Sequence, residues 1–213
     1  MKLTKREHAC LVLEQSGETL IVDPGSFTMP LGDERGVVAI VITHEHPDHW
    51  TPEQLKRILD TNPDARILAP AGVVAAAGDD FTITEVNAGD SIEVGPFTLR
   101  FFGGKHAEIH RSIPIVDNVG VLINGELYYA GDSFTIPEGV EVGTLAVPAG
   151  APWLKISEVM DYVDAVKPKR AFPVHEMVLS VAGKGLSNAR IGDVMTKNAG
   201  KYFPLEPGES IDL

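Results

Sequence analysis

The chain is short of cysteine, of basic residues, of aromatic residues and of long apolar runs, and each shortage excludes something. A single cysteine, Cys10, rules out an internal disulfide, so the fold must be held by its core or by metal. Eighteen Lys and Arg against thirty Asp and Glu leave a net charge of −12. That balance argues against nucleic acid or an anionic membrane as the main partner, because both need a basic face. The longest aliphatic run, Val37–Ile42, falls far below the roughly 20 residues of a membrane span. The positively charged start, Met1–His8, is followed only by the apolar patch Ala9–Leu13, too short for a signal-peptide core. The expectation is a soluble, cytoplasmic protein. What is present suits a globular fold: 213 residues, 44% hydrophobic and 23% charged, long enough for one domain with its own core.

Short β-rich runs fill much of the chain: Ala9–Leu13, Thr19–Val22, Val37–Thr43, Ile67–Ala69, Phe97–Phe102, Val119–Ile123, Glu126–Ala130 and Thr144–Val147. Asn124-Gly125 predicts a hairpin between two of them. Thr51-Pro52-Glu53-Gln54 predicts a capped helix start with Leu55, Ile58 and Leu59 on its apolar face. Ala71–Ala77 predicts a short helix ended by Gly78. Ser157 is expected to cap a further helix that buries Val159, Val163 and Val166 and stops at Lys167-Pro168. A last helix is expected from Ser187 to Asn198, with Ile191, Val194 and Met195 inward. The pattern reads as one α/β domain over 1–213 in two βα-type halves, about 1–104 and 105–213, with sheets inside and helices outside.

Four apolar extended runs end in residues that can bind metal. Val37–Thr43 leads into His44-Glu45-His46-Pro47-Asp48-His49, and Phe97–Phe102 leads through Gly103-Gly104-Lys105 into His106. Leu127–Ala130 leads through Gly131 into Asp132, and Ala171–Val174 leads into His175. Side chains at strand ends can converge on one edge of a sheet. Imidazole and carboxylate suit first-row metals such as Zn²⁺, Mn²⁺ and Fe. His44 and His46 point to the same side of an extended segment, while Asp48 and His49 lie at the turn into the helix. Four such residues within six positions exceed one tetrahedral ion's share, so two adjacent ions are expected, with Asp132 as the bridging carboxylate. His110, four residues after His106, stays open between substrate contact, proton donor, rival ligand and bystander. His8 has no partner in view and reads as an ordinary structural histidine. Phe27, Met29 and the loop Ser26–Gly36, together with Ala149–Trp153, are expected walls or lids. Trp153 is read as a substrate contact and Ser133 and Phe134 as the floor. Lys105 and Arg111 are read as surface charges that a phosphate or carboxylate could meet.

The motif His44-x-His46-x-Asp48-His49, with His106, Asp132 and His175 following in order, resembles that of the metallo-β-lactamase-fold hydrolase superfamily. The resemblance runs from about residue 9 to 205, and its general flavour is similar to the L-ascorbate-6-phosphate lactonase branch. It implies a four-layer αβ/βα sandwich of two mixed sheets flanked by helices. It also implies that His44, His46 and His106 bind one metal, that Asp48, His49 and His175 bind the other, and that Asp132 bridges them. Asp23, in Ile-Val-Asp-Pro-Gly, would orient ligands by hydrogen bonds. Oxygen-reducing di-iron members carry Glu where this chain has His46, which favours hydrolysis over redox chemistry. The expected activity is attack by a metal-activated water, with Asp48 assisting, on a small ester, lactone or phosphate-bearing metabolite. Two divalent ions, Zn²⁺ first and Mn²⁺, Fe or Ni²⁺ as alternatives, are the expected cofactors. The rival readings are a phosphodiesterase or nuclease of the same fold, and a metal-binding sensor without turnover.

Overall fold

A computed structural model describes residues 1–213. The apolar alternation of the strands is satisfied by two seven-stranded mixed sheets packed face to face. The first has the order β14-β1-β2-β3-β4-β5-β6. Its strands are β1 (Lys2–Lys5), β2 (Leu11–Gln15), β3 (Glu18–Val22), β4 (Val37–Val41), β5 (Arg66–Ala69), β6 (Ile83–Glu85) and β14 (Ser210–Asp212). The second has the order β13-β12-β11-β10-β9-β8-β7. It comprises β7 (Ser91–Val94), β8 (Phe97–Lys105), β9 (Asp117–Ile123), β10 (Leu127–Tyr129), β11 (Thr144–Pro148), β12 (Arg170–Val174) and β13 (Lys201–Tyr202). Between the sheets, Leu13, Leu20, Val22 and Val41 of the first meet Phe97, Phe101, Val121 and Phe172 of the second. Full burial of such side chains contributes roughly 1.5–3 kcal/mol each.

The opposite faces of the sheets are covered by helices. α1 (Pro52–Thr61) and α2 (Ala71–Ala77) lay Leu55, Ile58 and Val73 on Ile21, Ile40 and Ile67. α3 (Ile156–Val166) and α4 (Val181–Lys197) lay Val159, Val163, Ile191 and Met195 on Leu145, Val147 and Ala171. The result is the expected four-layer αβ/βα sandwich. Thr51 caps α1 as expected, accepting a hydrogen bond from Gln54 N. Asn124 and Gly125 both take positive φ, 53° and 66°, as a two-residue hairpin turn requires.

Three expectations are corrected. α3 starts at Ile156 with Lys155 as its N-cap, whose backbone N–H donates to Glu158, and Ser157 lies inside the first turn. α4 starts six residues before Ser187, at Val181, with Ser180 as its N-cap, whose hydroxyl accepts from Gly183 N. Gly183 and Gly185 mask the helical pattern there, since glycine weakens intrinsic helicity. The passage between sheets comes after β6, ahead of position 104, and β14 returns to the first sheet. The division expected near residue 104 therefore falls inside β8, whose Phe97, Leu99 and Phe101 face the shared core.

β1, β3 and β4 in the first sheet and β8, β10 and β12 in the second all end at the same edge of the sandwich. Strand pairing requires this: β2 is antiparallel to both β1 and β3, and β9 to both β8 and β10. Their C-terminal ends deliver the residues of the site.

Candidate metal centre

His106 and His175 stand at the first loop position after β8 and β12, whereas His44, His46 and His49 come from the loop between β4 and α1, and hydrogen bonds on ring nitrogens turn the imidazoles. His175, after β12, donates Nδ1–H to the Gly150 carbonyl at 2.7 Å. His106, after β8, donates Nδ1–H to its neighbour's carbonyl, Ala107 O, at 2.5 Å. Carbonyl oxygens only accept, so Nδ1 carries a proton in both rings, and in their neutral forms both Nε2 lone pairs are left for something else. His49 makes the equivalent contact with Asp23, Nδ1 to Oδ2 at 2.7 Å. The Nε2 atoms of His49, His106 and His175, and Oδ1 of Asp132, are all buried with no hydrogen-bond partner.

These orphaned atoms face one another. Asp132 Oδ2 lies 3.1 Å from His175 Nε2 and 3.3 Å from His106 Nε2, and Asp132 Oδ1 lies 3.3 Å from His49 Nε2, out of hydrogen-bond alignment. His44 Nε2 sits 3.1 Å from His46 Nδ1. Donor atoms group as His44, His46 and His106; as His44, His49 and Asp132; and as His8, Asp48, His49 and His175. Asp132 stands between the outer two groups. A buried lone pair without a proton donor is costly, and a cation shared among such atoms removes that cost. The donor set of imidazoles and carboxylates therefore fits metal, and N/O coordination suits Zn²⁺, Mn²⁺, Fe and Ni²⁺ alike.

The electrostatics agree. Burial pulls His44 well below its ordinary value, with His49 pushing the same way. Burial also lowers His46. Burial opposes charge on His175 too, but Asp132 and then Asp48 outweigh it and raise it to about 9. His49 is held well above its ordinary value against its own burial, chiefly by Asp132 and Asp23. Burial pushes Asp48 up, yet hydrogen bonds from His175 and His8 hold it well below the usual carboxylate range. The pocket thus wants positive charge that its packed imidazoles cannot all carry.

The loops are locked by further contacts, of which only the role of Asp23 is expected from the sequence. Asp23, fully buried with φ of 48°, accepts from Thr43 N at 2.8 Å and Thr43 Oγ1 at 2.7 Å, as well as meeting His49. Thr43 O in turn accepts from Val119 N, which stitches one sheet to the other directly beneath the site. Buried Asn118 accepts from Asp132 N and donates to Ala130 O. Gly131, at φ +63°, is needed there because a Cβ would sit 2.3 Å from Asn118 Oδ1.

The structure thus brings together His44, His46, Asp48, His49, His106, Asp132 and His175, with Asp23 behind them. His110 lies apart in the exposed turn after His106, where its Nδ1 meets Ser112 Oγ at 2.7 Å. Trp153, expected against substrate, is 9% exposed and donates Nε1–H to Asp132 Oδ2 at 2.8 Å. Phe134 packs on Trp153, and Ser133 turns its hydroxyl back to Ala130 O. Lys105 is paired with Asp117, and Arg111 is exposed. Phe27 and Met29 are exposed at the site's edge, with the Phe27 ring 4.9 Å from that of His8. His8 is the correction: it is fully buried inside the cluster, its Nε2 3.1 Å from Asp48 Oδ2. Burial pulls it down to about 4.

Comparison with known proteins agrees with this geometry. The Beta-lactamase superfamily domain matches residues 2–175. Protein Rv0786c of Mycobacterium tuberculosis is 36% identical over 99% of this chain and 98% of its own length. A UPF0173 metal-dependent hydrolase of Aeropyrum pernix is 30% identical over 82% of this chain and 81% of its own. Among solved structures, the metallo hydrolase Igni18 of Ignicoccus hospitalis shares the fold with a TM-score of 0.75 at 18% identity, covering 99% of this chain and 97% of that one. The chain belongs to the β-lactamase superfamily, in its metallo-β-lactamase-fold form.

Proposed function

We propose that this protein is a binuclear metal-dependent hydrolase acting on a small ester, lactone or phosphate-bearing metabolite. The observation that carries the reading is the set of buried, partnerless donor atoms on His49, His106, His175 and Asp132, aimed at common points. His44, His46 and His106 would hold one ion, Asp48, His49 and His175 would hold the other, and Asp132 lies within reach of both groups. Bound ions of this kind supply Lewis acidity and lower the pKa of water to about 7. The protein supplies the rest. Asp23 and the Gly150 carbonyl fix the His49 and His175 rings so that Nε2 faces inward. Trp153 Nε1–H holds Asp132 by its Oδ2 oxygen. Asp48, whose side chain keeps 23% exposure, would orient the attacking water.

The rim supports the proposed substrate class. Phe27, Met29, Ile113, Ile115, Met177 and Val178 are exposed on the three loops that carry or adjoin the cluster. That apolar edge, on a chain with net charge −12, favours a substrate with an apolar portion over a polyanion. The test is elemental analysis after purification without chelators, followed by a panel of lactones, carboxylic esters, sugar-phosphate lactones and phosphodiesters. About two transition-metal equivalents and ester or lactone turnover are expected. His49→Ala should retain one equivalent and lose turnover. Full activity in that variant, or no metal uptake from Zn²⁺, Mn²⁺ or Fe²⁺, sinks the reading.

A further inference from the structure

We infer that His8 is a positioning residue that supports the second ion's ligand set, holding Asp48 with its ring and His175 with its backbone. The inference rests on the binuclear reading above. β1 runs in the same direction as β3 and ends at the same edge of the sandwich, so the residues after Lys5 reach the site as the other strand ends do. The turn from β1 to β2 is closed by Arg6 N donating to Cys10 O and Cys10 N to Glu7 O. Within it, His8 takes a left-handed conformation, φ 62°, and is fully buried.

From that position it makes two separate contacts with two different loops. Its Nε2 is 3.1 Å from Asp48 Oδ2, and its carbonyl accepts the His175 backbone N–H at 2.9 Å. Its ring lies 3.9 Å from the His175 ring, centroid to centroid. A left-handed conformation in a non-glycine residue costs of order 1–3 kcal/mol and persists only where its surroundings over-determine it. His8 Nδ1 is also buried without a partner, a second cost carried at the same residue.

The direction of the contact decides the role. The Asp48 carboxylate only accepts, so His8 Nε2 carries the proton and has no lone pair left for a metal. The other imidazoles near Asp48 Oδ2 are His175 Nε2 at 3.4 Å and His49 Nε2 at 3.9 Å, both assigned to the ion. His8 therefore holds Asp48 in place through a nitrogen that does not compete for the ion. Hydrogen-bonded partners of ligating side chains typically account for about 10–100-fold in metal affinity.

The test compares the wild-type protein with His8→Ala and His8→Gln, measuring stepwise release of Zn²⁺ to a competing chelator. Both replacements carry the same left-handed backbone cost, so the difference between them isolates the N–H donor. The expected result is an unchanged first equivalent in both variants. The second should weaken by about 10–100-fold in His8→Ala and stay near wild type in His8→Gln, whose amide N–H can reach Asp48. Should His8→Ala fail to fold, His8→Gly, which suits the backbone, takes its place. Equal losses in the Ala and Gln variants, or none in Ala, would overturn the inference. A wild-type protein that binds a single equivalent would overturn the two-ion reading and this inference with it.

Discussion

Lys5→Met should be among the most destabilising single substitutions at the site's edge, although it touches no proposed ligand. Lys5 Nζ pairs with Glu176 Oε1 between side chains that are 0% and 3% exposed, and it also donates to Arg6 O at 3.2 Å. The partner follows directly on His175, so the pair ties β1 to the last loop of the site. Methionine preserves the apolar stem but strands a carboxylate, one oxygen of which already lacks a hydrogen-bond partner. Removing one member of a buried pair costs about 3–5 kcal/mol, because the remaining charge stays desolvated. At about 2–4 °C per kcal/mol for a chain of this size, the melting temperature should fall by about 6–20 °C. Urea unfolding and thermal melts should be run with chelator present, since bound metal adds its own linkage stabilisation. The double variant Lys5→Met/Glu176→Leu removes both charges and should recover most of the loss. A single variant within about 1 kcal/mol of wild type, or a double variant as unstable as the single, would refute the claim that the charge pair is desolvated.

Three further outcomes are expected. Gly25→Ala places a Cβ 1.8 Å from the Asp48 carbonyl oxygen and 2.6 Å from His49 N, so the motif loop must move. Metal analysis should find the second equivalent lost while the circular dichroism spectrum is retained. Asp23→Asn puts an amide N–H₂ where one carboxylate must accept from Thr43 N, Thr43 Oγ1 and His49 Nδ1–H. The resulting donor–donor conflict should weaken metal binding by about 10–100-fold in chelator competition. His110→Ala, in an exposed turn, should leave metal content intact and stability within about 0.5 kcal/mol by urea unfolding. Loss of a metal equivalent would make His110 a ligand.

The residues that were legible in the sequence share a physical cause, and so do those that were not. His44, Asp132 and His175 each follow an apolar run that is visible without any partner because both its faces are buried, and His106 follows β8, where apolar Phe97, Leu99 and Phe101 alternate with exposed positions. Thr51-Pro52 and Asn124-Gly125 were legible because caps and tight turns are local chemistry. The strand that delivers His8 obeys the same strand-end rule but reads Lys-Leu-Thr-Lys, with no apolar run to announce it. Its inward positions are Leu3 and Lys5, and the second becomes a core residue only because Glu176, 171 positions away, neutralises it. Locally, Lys5 argues for a solvated segment, and His8 beyond it then looks like a surface residue of the N-terminus. Asn118 and Gly150 are hidden likewise, because their contributions are a buried amide and a backbone carbonyl given to ligands 14 and 25 positions away. The atoms proposed to face metal are therefore recoverable from spacing, Asp23 among the groups that aim them is reached through the family resemblance, and His8, Asn118 and Gly150 are recoverable only from the fold. For that reason the contacts most worth testing lie one bond behind the motif: His8 on Asp48, Asp23 on His49 and Glu176 on Lys5.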